Sequence, residues 1–217
     1  MVVLGLTGSI GMGKSTAAGM LKAMGAPVCD SDAVVHRLLG PGGRAVPAID
    51  AAFPGVVIDG AVSRPALGAA VFRDPSALKR LEAILHPMVQ AGQRDFLAGA
   101  ARRGAKIAVL DIPLLFETHG ERRVDATVVV SAPFPVQRAR VMARPGMTAE
   151  KFAGILARQM PDAEKRRRAD YVVPTGAGRL VTRRALQGIV RDVVRRRGRH
   201  WPPRGYQPGQ MGQVHHA

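Results

Sequence analysis

The chain has 217 residues, of which 47% are hydrophobic, and its formal net charge is +16, from 32 Lys and Arg against 16 Asp and Glu. This apolar fraction excludes a wholly disordered chain, and the sequence has no run of about 18 apolar residues that could span a membrane. The single cysteine, Cys29, excludes an internal disulfide and a cysteine-rich metal cluster. Because the N-terminus lacks the basic and apolar regions of a signal peptide, we expect a cytoplasmic protein.

The N-terminal segment predicts a strand, a glycine-rich loop, a helix and a second strand. Residues 2–6 (VVLGL) form a short apolar run, which is typical of a buried parallel strand. A helical pattern over 14–24 ends at Gly25, and a second apolar run follows at 26–29. These elements together predict a βαβ unit.

Residues 36–103 have a different sequence pattern: helical periodicity dominates, and Gly-Pro and Pro-Gly pairs interrupt it. We expect this region to be a helical insertion over one end of the sheet. Its longest helical pattern covers 76–97, and Pro87 is expected either to kink that helix or to lie at a junction.

The rest of the chain alternates again between apolar runs and helical patterns. Strands are predicted at 106–111, 125–131 and 171–174, and helices at 134–144, 148–159 and 178–197. Strands that alternate with helices predict an α/β fold with a parallel sheet. From residue 198, the content of Gly, Pro, Gln and His predicts a disordered tail.

Residues 8–15 (GSIGMGKS) match the pattern G-x4-G-K-[ST] between a predicted strand and a predicted helix. The glycines allow backbone N–H groups to surround phosphates, the lysine reaches the β- and γ-phosphates, and the serine hydroxyl can ligate Mg²⁺. The segment therefore predicts binding of a nucleoside triphosphate with magnesium. The residues expected to hold it are Gly11, Met12, Gly13, Lys14, Ser15 and Thr16.

Several carboxylates follow predicted strands, at the edge of the sheet where ligands bind in parallel α/β folds. Asp30 and Asp32 suit magnesium coordination or deprotonation of an acceptor hydroxyl, with Asp32 favoured as the base. The structural alternative for either is an N-cap of the next helix. Asp111 ends a strand at the Walker B position, where it contacts Mg²⁺ or caps the strand. Glu117 either orients a substrate or is simply exposed.

Arg140 and Arg144 are four residues apart and therefore share one face of a predicted helix. Two guanidinium groups one turn apart repel each other unless an anion lies between them. We expect them to bind the triphosphate and to stabilise charge during phosphoryl transfer, and a solvated basic helix is the structural alternative. His86, in the long helical pattern, is either a structural residue or a hydrogen-bond donor to a polar substrate.

Taken in chain order, these motifs resemble the dephospho-coenzyme A kinase family over residues 1–195. The segments that carry the resemblance are LTGSIGMGKST at 6–16, CDSDAVVHRLL at 29–39, SRPALGAAVFRDP at 63–75, LKRLEAILHPMV at 78–89, VLDIPLLFE at 109–117, VQRARVMAR at 136–144 and FAGILARQM at 152–160. The resemblance implies a P-loop kinase fold with a five-stranded parallel sheet core, a helical substrate-binding insertion and a helical lid. It also implies transfer of the γ-phosphate of ATP to the ribose 3′-hydroxyl of dephospho-CoA, the last step of coenzyme A synthesis.

The same resemblance implies roles for individual residues. Lys14 is the phosphate-loop lysine, Asp32 the base on the 3′-hydroxyl, and Arg140 the lid arginine on the transferring phosphoryl group. His86 and Arg64 match positions that are associated with the acceptor site. The expected ligands of Mg²⁺ are Ser15, Asp32 and Asp111. Family members often carry Asn after the last strand, whereas this chain has Pro174 and Thr175 there, so its contacts to adenine are expected to be altered or made by the backbone.

The domain boundaries are predicted from the elements and the resemblance together. The nucleotide-binding core is expected at 1–35, 104–135 and 169–197, the acceptor-binding domain at 36–103, the lid at 136–168 and a disordered basic tail at 198–217. We expect dephospho-CoA as the acceptor and no obligatory protein partner.

Two other functions remain open from the sequence: another small-molecule or nucleotide kinase of the same fold, and a nucleic-acid-binding ATPase that uses the clustered arginines. Aromatic residues are only 4% of the chain, which leaves few platforms on which bases could stack. Contact between the basic tail and nucleic acid is therefore not favoured. A GTP switch is not expected either, because the sequence has no N-K-x-D motif.

Overall fold

The computed structural model describes residues 1–71 and 74–202 of the chain. The strands are β1 (Val2–Thr7), β2 (Val28–Asp30), β3 (Val57–Ile58), β4 (Ala61–Val62), β5 (Ile107–Asp111), β6 (Ala126–Ser131) and β7 (Tyr171–Pro174). The α-helices are α1 (Lys14–Ala23), α2 (Ser31–Leu39), α3 (Val46–Ala52), α4 (Arg64–Val71), α5 (Pro75–Arg102), α6 (Phe134–Met142), α7 (Ala149–Ala157), α8 (Asp162–Arg168) and α9 (Arg179–Val193). Within the described ranges, a parallel sheet has the strand order β2-β5-β1-β6-β7, and β3 pairs with β4 in a separate hairpin.

The central sheet forms because its inner strands are apolar on both faces. Every residue of β1, β5 and β6 is buried, as is typical of parallel strands that helices cover on both sides. Leu4 of β1 lies in register with Val109 of β5 and Ala126 of β6. Helices α1 and α9 pack on one face, and α2 and part of α5 pack on the other. The predicted α/β fold with a five-stranded parallel sheet is confirmed.

Helix α5 is 28 residues long and connects the sheet with the insertion. Pro87 lies inside this helix, so the junction that the sequence allows at this position is absent. The C-terminal part of α5 packs on the sheet through Leu97, Ala98 and Ala100, whereas Ala77 belongs to the core of the insertion. In the described ranges no helix, α5 included, combines the length and the hydropathy that crossing a bilayer requires.

The insertion has a small hydrophobic core of its own. Helices α2 to α5 and the β3–β4 hairpin surround it, and its buried side chains include Leu39, Ile49, Val62 and Leu67. The helices are predicted from the sequence, but the hairpin is not. Each of its strands has only two residues, and no periodicity can be recognised in so short a run.

Residues 198–202 pack against the sheet. Trp201 is 6% exposed and lies in a hydrophobic cluster with residues of β1, α5 and β5. The carboxylate of Asp125 accepts hydrogen bonds from the backbone N–H groups of Arg199 (2.5 Å) and His200 (3.1 Å). The segment is therefore docked by one buried aromatic ring and by a carboxylate that satisfies its backbone.

The expected disorder from residue 198 is thus wrong for 198–202. The expectation came from composition, since this stretch is rich in polar and turn-forming residues. Burial of the single indole ring of Trp201 offsets part of the conformational entropy that the chain loses when this segment becomes ordered. The rest of the predicted tail, 203–217, lies outside the described residues.

Candidate active site

The glycine-rich loop at 8–15 connects β1 to α1 and forms one wall of a cavity of about 590 Å³. Gly11 and Gly13 have φ angles of 77° and 86°, which L side chains rarely adopt. Gly11 is also crowded, since a Cβ there would lie 2.5 Å from Val141 Cγ2 of α6. Glycine therefore allows the loop to turn its backbone N–H groups toward an anion. The other lining residues that are predicted from the sequence are Met12, Lys14, Ser15, Thr16, Asp32, Arg140 and Arg144.

Lys14 and Asp111 form an ion pair next to the loop. Lys14 Nζ donates a hydrogen bond of 2.6 Å to Asp111 Oδ1. The two side chains meet because Lys14 begins α1 and Asp111 ends β5, which is paired with β1. Burial raises the pKa of the Asp111 carboxyl, and the hydrogen bond from Lys14 opposes that rise. Asp111 does not itself line the cavity, so Lys14 is the contact that connects it with the site.

The two acids that follow β2 have different surroundings. Asp30 is the N-cap of α2, and its Oδ1 accepts hydrogen bonds from the N–H groups of Asp32 (2.9 Å) and Ala33 (3.2 Å). Asp32 lies in the first turn of α2 and lines the cavity. Within the described part of the chain, its carboxylate has no hydrogen-bond or ion-pair partner. The capping interpretation therefore applies to Asp30, and the carboxylate of Asp32 is available to a ligand.

Asp32 also lines a second cleft, of about 260 Å³. His86 of α5 is on the wall of this cleft, together with Gln90 and Gln93. These three residues are spaced i, i+4 and i+7 and therefore share one face of the helix. Asp32 thus borders two neighbouring spaces, an arrangement that suits transfer of a group from a ligand in one to a ligand in the other.

A chain of hydrogen-bonded side chains supports the second cleft. Gln93 Nε2 donates to Ser31 Oγ (2.9 Å), and Arg123 Nη1 donates to Gln93 Oε1 (3.0 Å). Gln93 and Ser31 are both buried. Neither Gln93 nor Arg123 is predicted from the sequence. The polar face of α5 is a signal that could have indicated Gln93, but nothing local distinguishes Arg123 from the many other arginines.

Arg64 lies outside both spaces. It begins α4, and its Nη2 is 2.8 Å from His36 Nδ1. Neither the loop cavity nor the cleft with His86 includes it in the lining. The structure therefore places His86, but not Arg64, on the wall of the cleft, although the resemblance associates both with the acceptor site.

Arg140 lies against the glycine-rich loop. Its Nη2 donates to Thr175 O (2.7 Å), and its Nη1 donates to Gly11 O (3.4 Å). Thr175 Oγ1 donates in turn to Met12 O (2.7 Å), so this residue uses its hydroxyl to support the loop. Arg144 lies beyond the end of α6, which stops at Met142 instead of continuing to residue 144, and it lines the same cavity. Both arginines of the predicted pair therefore line the space beside the loop.

Two glutamines hold the tip of the loop. Gln137 of α6 donates from Nε2 to Ile10 O (2.8 Å), and Ile10 N donates to Gln159 Oε1 (3.1 Å). Gln159 follows α7 and also lines the cavity. The backbone of Ile10 is thus bonded on both sides to the segment that the sequence predicts as a lid. Neither glutamine is predicted as a site residue.

Glu117 has a structural role in these contacts. Its Oε1 accepts a hydrogen bond from Met160 N (2.8 Å) and lies 2.8 Å from Lys165 Nζ. Lys165 is completely buried. Glu117 does not line the loop cavity or the second cleft. Of the two alternatives that the sequence leaves open, exposure is wrong, and the observed contacts anchor the segment between α7 and α8.

The loop cavity has oxygen donors that fit a magnesium ion. Ser15 and Asp32 both line it, and Asp111 is occupied by Lys14. In the described ranges, no group of three or more His, Cys, Asp or Glu could hold a metal by itself. Mg²⁺ commonly uses one or two protein oxygens and completes its shell with phosphates and water. A hydroxyl and a carboxylate that line the same cavity fit that pattern of coordination.

Comparisons with known proteins agree with this geometry. The family model described as dephospho-CoA kinase matches residues 2–179. The dephospho-CoA kinase of Paramagnetospirillum magneticum is 65% identical over 76% of this chain and 78% of its own length. That of Mesorhizobium japonicum is 58% identical over 91% of this chain and 100% of its own. The crystal structure of TT1252 from Thermus thermophilus has a TM-score of 0.77 at 38% identity, over 88% of this chain and 97% of its own. The dephospho-CoA kinase of Campylobacter jejuni shares the fold, with a TM-score of 0.59 at 20% identity over 88% of this chain and 96% of its own.

Proposed function

Because the chain belongs to the dephospho-CoA kinase family, it transfers the γ-phosphate of ATP to the ribose 3′-hydroxyl of dephospho-CoA, and we propose how its residues divide this work. The observation that carries the proposal is that Asp32 borders both the loop cavity and the cleft with His86. A residue in this place can contact the donor phosphate and the acceptor hydroxyl together. The proposal therefore assigns ATP to the loop cavity and dephospho-CoA to the cleft.

In this proposal the glycine-rich loop and Lys14 bind the triphosphate of ATP. The ammonium group of Lys14 is on a flexible stem, so it can exchange Asp111 Oδ1 for the β- and γ-phosphates when ATP arrives. Arg140 and Arg144 add positive charge on the other side of the cavity. These three cations stabilise the negative charge that develops on the transferring phosphoryl group.

Asp32 accepts the proton of the acceptor hydroxyl, or orients that hydroxyl, as the bond to phosphorus forms. Asp30 supports it indirectly, since its side chain caps the helix that carries Asp32. The hydroxyl oxygen attacks the γ-phosphorus, the bond from that phosphorus to its bridging oxygen breaks, and ADP leaves. His86 donates a hydrogen bond to the acceptor in the cleft.

Ser15 and Asp32 are the proposed protein ligands of Mg²⁺, and Asp111 becomes a further ligand or binds a coordinated water once Lys14 has moved. When bound, the ion neutralises charge on the β- and γ-phosphates. The fit rests on an observed pair of oxygen donors beside the loop.

The proposed larger parts follow from the same arrangement. Residues 36–103 bind the acceptor, and residues 136–168 act as a lid that excludes water during transfer. Arg64 contacts the acceptor only if the insertion moves toward the cleft on binding. We also propose that the enzyme works in the cytoplasm, where its donor ATP is found, and without an obligatory protein partner.

The function is tested by incubating the purified chain with Mg-ATP and dephospho-CoA and by measuring the formation of coenzyme A. AMP, CMP and adenosine serve as parallel acceptors. Formation of coenzyme A, with little product from the other three, is the expected result. Phosphorylation of a nucleotide instead would keep the donor site and overturn the acceptor, and hydrolysis of ATP that needs no acceptor would contradict the proposed exclusion of water.

A further inference from the structure

Arg123 is a partly buried arginine that faces the proposed acceptor cleft. It ends the 3₁₀ turn Gly120–Arg123, and its Nη1 donates to Gln93 Oε1 at 3.0 Å. No Asp or Glu among the described residues forms an ion pair with it. A guanidinium has five N–H donors and remains protonated in proteins. Most of its donors and its full charge are therefore available to a ligand.

A cavity of about 240 Å³ adjoins the cleft, and Arg123 lines both. Gln90 and Gln93 line both as well, so the two spaces are neighbours along α5. Trp201 of the docked C-terminal segment forms part of the wall. The further basic side chains of this cavity are Arg94, Arg122 and His200, and no Asp or Glu is among the described residues that line it.

The basic side chains in this cavity repel one another. Burial lowers the pKa of the Arg123 guanidinium, and the charge of Arg94 lowers it further. Desolvating a cation that has no carboxylate partner costs free energy. An anion bound between these arginines would relieve both the desolvation and the repulsion, and charged hydrogen bonds to it would be strong.

The position of Arg123 relative to Asp32 limits which anion fits. Gln93 connects Arg123 to Ser31, which precedes Asp32 in the first turn of α2. The acceptor offers its 3′-hydroxyl to Asp32, and its diphosphate is attached to C5′ of the same ribose. The diphosphate therefore has to lie in or next to the same cleft, close to Asp32.

We propose that Arg123, assisted by Arg94 and Arg122, binds the 5′-diphosphate of dephospho-CoA. This assignment rests on the proposed function and identifies a part of the acceptor site that His86 does not supply. Arg123 is held in place by Gln93, whereas Arg94 and Arg122 are exposed and approach from the solvent side. The planar fork of an arginine matches two phosphate oxygens at once.

The test measures the dissociation constants of dephospho-CoA, AMP and adenosine by calorimetry, with a non-hydrolysable ATP analogue present to fill the donor site. These ligands share the nucleoside and carry a diphosphate, a monophosphate or no phosphate at C5′. Arg123→Gln is expected to raise the dissociation constant of dephospho-CoA by about 10- to 100-fold, because charged hydrogen bonds are lost. The loss of affinity for AMP should be smaller, and the dissociation constant of adenosine should change by less than about twofold. Arg123→Lys should recover part of the affinity, since lysine keeps the charge without the fork.

The matched control is Arg102→Gln, which removes one positive charge from an exposed position of α5 outside both spaces. It should leave all three constants unchanged. Unchanged binding of dephospho-CoA by Arg123→Gln overturns the proposal, and so does an equal loss for adenosine, which would mean that Arg123 only supports the cleft. In either case the wild-type chain still forms coenzyme A. Failure of the wild type to do so would instead overturn the proposed function.

Discussion

Three aspartates near the loop have different roles because their hydrogen-bond partners and their burial differ. Asp30 caps a helix, Asp32 lines a cavity with its carboxylate unpartnered among residues 1–71 and 74–202, and Asp111 is buried against Lys14. A capping carboxylate is already satisfied by backbone N–H groups. Only a carboxylate without such partners is available to take a proton from a substrate. At the scale of residues, the distribution of hydrogen bonds therefore points to Asp32 as the base.

Asp32→Asn should lower kcat by about 10²- to 10⁴-fold, since the amide cannot accept the proton. The matched control is Asp30→Asn, because asparagine is as good an N-cap as aspartate, and kcat should stay near the wild-type value. Both are measured by formation of coenzyme A at saturating substrates. Wild-type turnover of Asp32→Asn would remove the base assignment.

Lys14→Ala should lower the rate of transfer by about 10²- to 10⁴-fold, which corresponds to roughly 3–5 kcal/mol of lost transition-state stabilisation. Lys22→Ala serves as the control, since Lys22 is exposed in the last turn of the same helix. The readout is single-turnover phosphoryl transfer, with circular dichroism to confirm folding. Equal effects of the two substitutions would refute a specific contact between Lys14 and the phosphates.

Cys29 should be inert in the folded protein. It is 5% exposed, and burial raises its pKa from an ordinary value of 9.0 to about 11. Reaction with Ellman's reagent at pH 8 should be slower than in urea by about 100-fold or more, because thiolate is scarce and access is blocked. The protonated thiol favours the folded state below pH 9, and this contribution is lost as the pH rises toward 11. Fast labelling of the native protein would contradict this burial.

At the scale of elements, the segment predicted as a lid has contacts with two parts of the core, the phosphate loop and the residues that follow β5. Gln137 and Gln159 bond the backbone of Ile10 in the loop. Glu117, after β5, holds Met160 and the buried Lys165. Any displacement of this segment would have to break or carry with it these contacts to the phosphate loop and to Glu117.

Glu117→Gln should destabilise the fold by about 3–5 kcal/mol, because it leaves the buried ammonium of Lys165 without its counter-charge. The double variant with Lys165→Met should recover much of this loss, since no buried charge remains. Glu82→Gln, at an exposed position of α5, is the control for loss of a carboxylate. Urea unfolding measures all four proteins. A cost below about 1 kcal/mol for Glu117→Gln would show that Lys165 finds water or another partner.

At the scale of the whole molecule, two long-range connections unite the parts. Helix α5 contributes to the core of the insertion with one end and to the sheet with the other. The C-terminal segment returns to the sheet, where Trp201 is buried and Asp125 bonds its backbone. The proposed acceptor site lies between these two connections, so its shape depends on both.

Trp201→Ala should lower the free energy of unfolding by about 3–5 kcal/mol, the usual cost of deleting a large buried aromatic side chain. Deletion of residues 198–217 should have a similar effect. Phe134→Ala, at a ring that is 57% exposed, should cost much less. Unfolding is followed by circular dichroism, because Trp201 is the only tryptophan and its replacement removes the tryptophan fluorescence signal. Unchanged stability of the deletion would mean that the segment does not support the sheet.

The sequence alone determined the features that depend on neighbours along the chain. The buried strands, most of the helices and the glycine-rich loop at 8–15 follow from periodicity and from the chemistry of phosphate binding, both of which act over a few residues. Helix α8 (Asp162–Arg168) is not predicted from the sequence. The position of Asp32 beside the loop could also be predicted, since parallel strands end at the same edge of a sheet. Arg140 and Arg144 are expected there on a different ground, because two guanidinium groups four residues apart on a helix need an anion between them.

Only the tertiary structure decided which distant residues meet. Lys14 and Asp111 are 97 positions apart, and Gln93 and Arg123 are 30 apart. Arg64 pairs with His36 instead of reaching the cleft, and Trp201 is buried although its segment has the composition of a tail. The physical reason is that these contacts depend on tertiary packing. Lys14 meets Asp111 because β5 lies next to β1 in the order β2-β5-β1-β6-β7. Arg64 meets His36 because α4 and α2 pack in the insertion. Local patterns specify each strand, but packing of the whole core selects its neighbours.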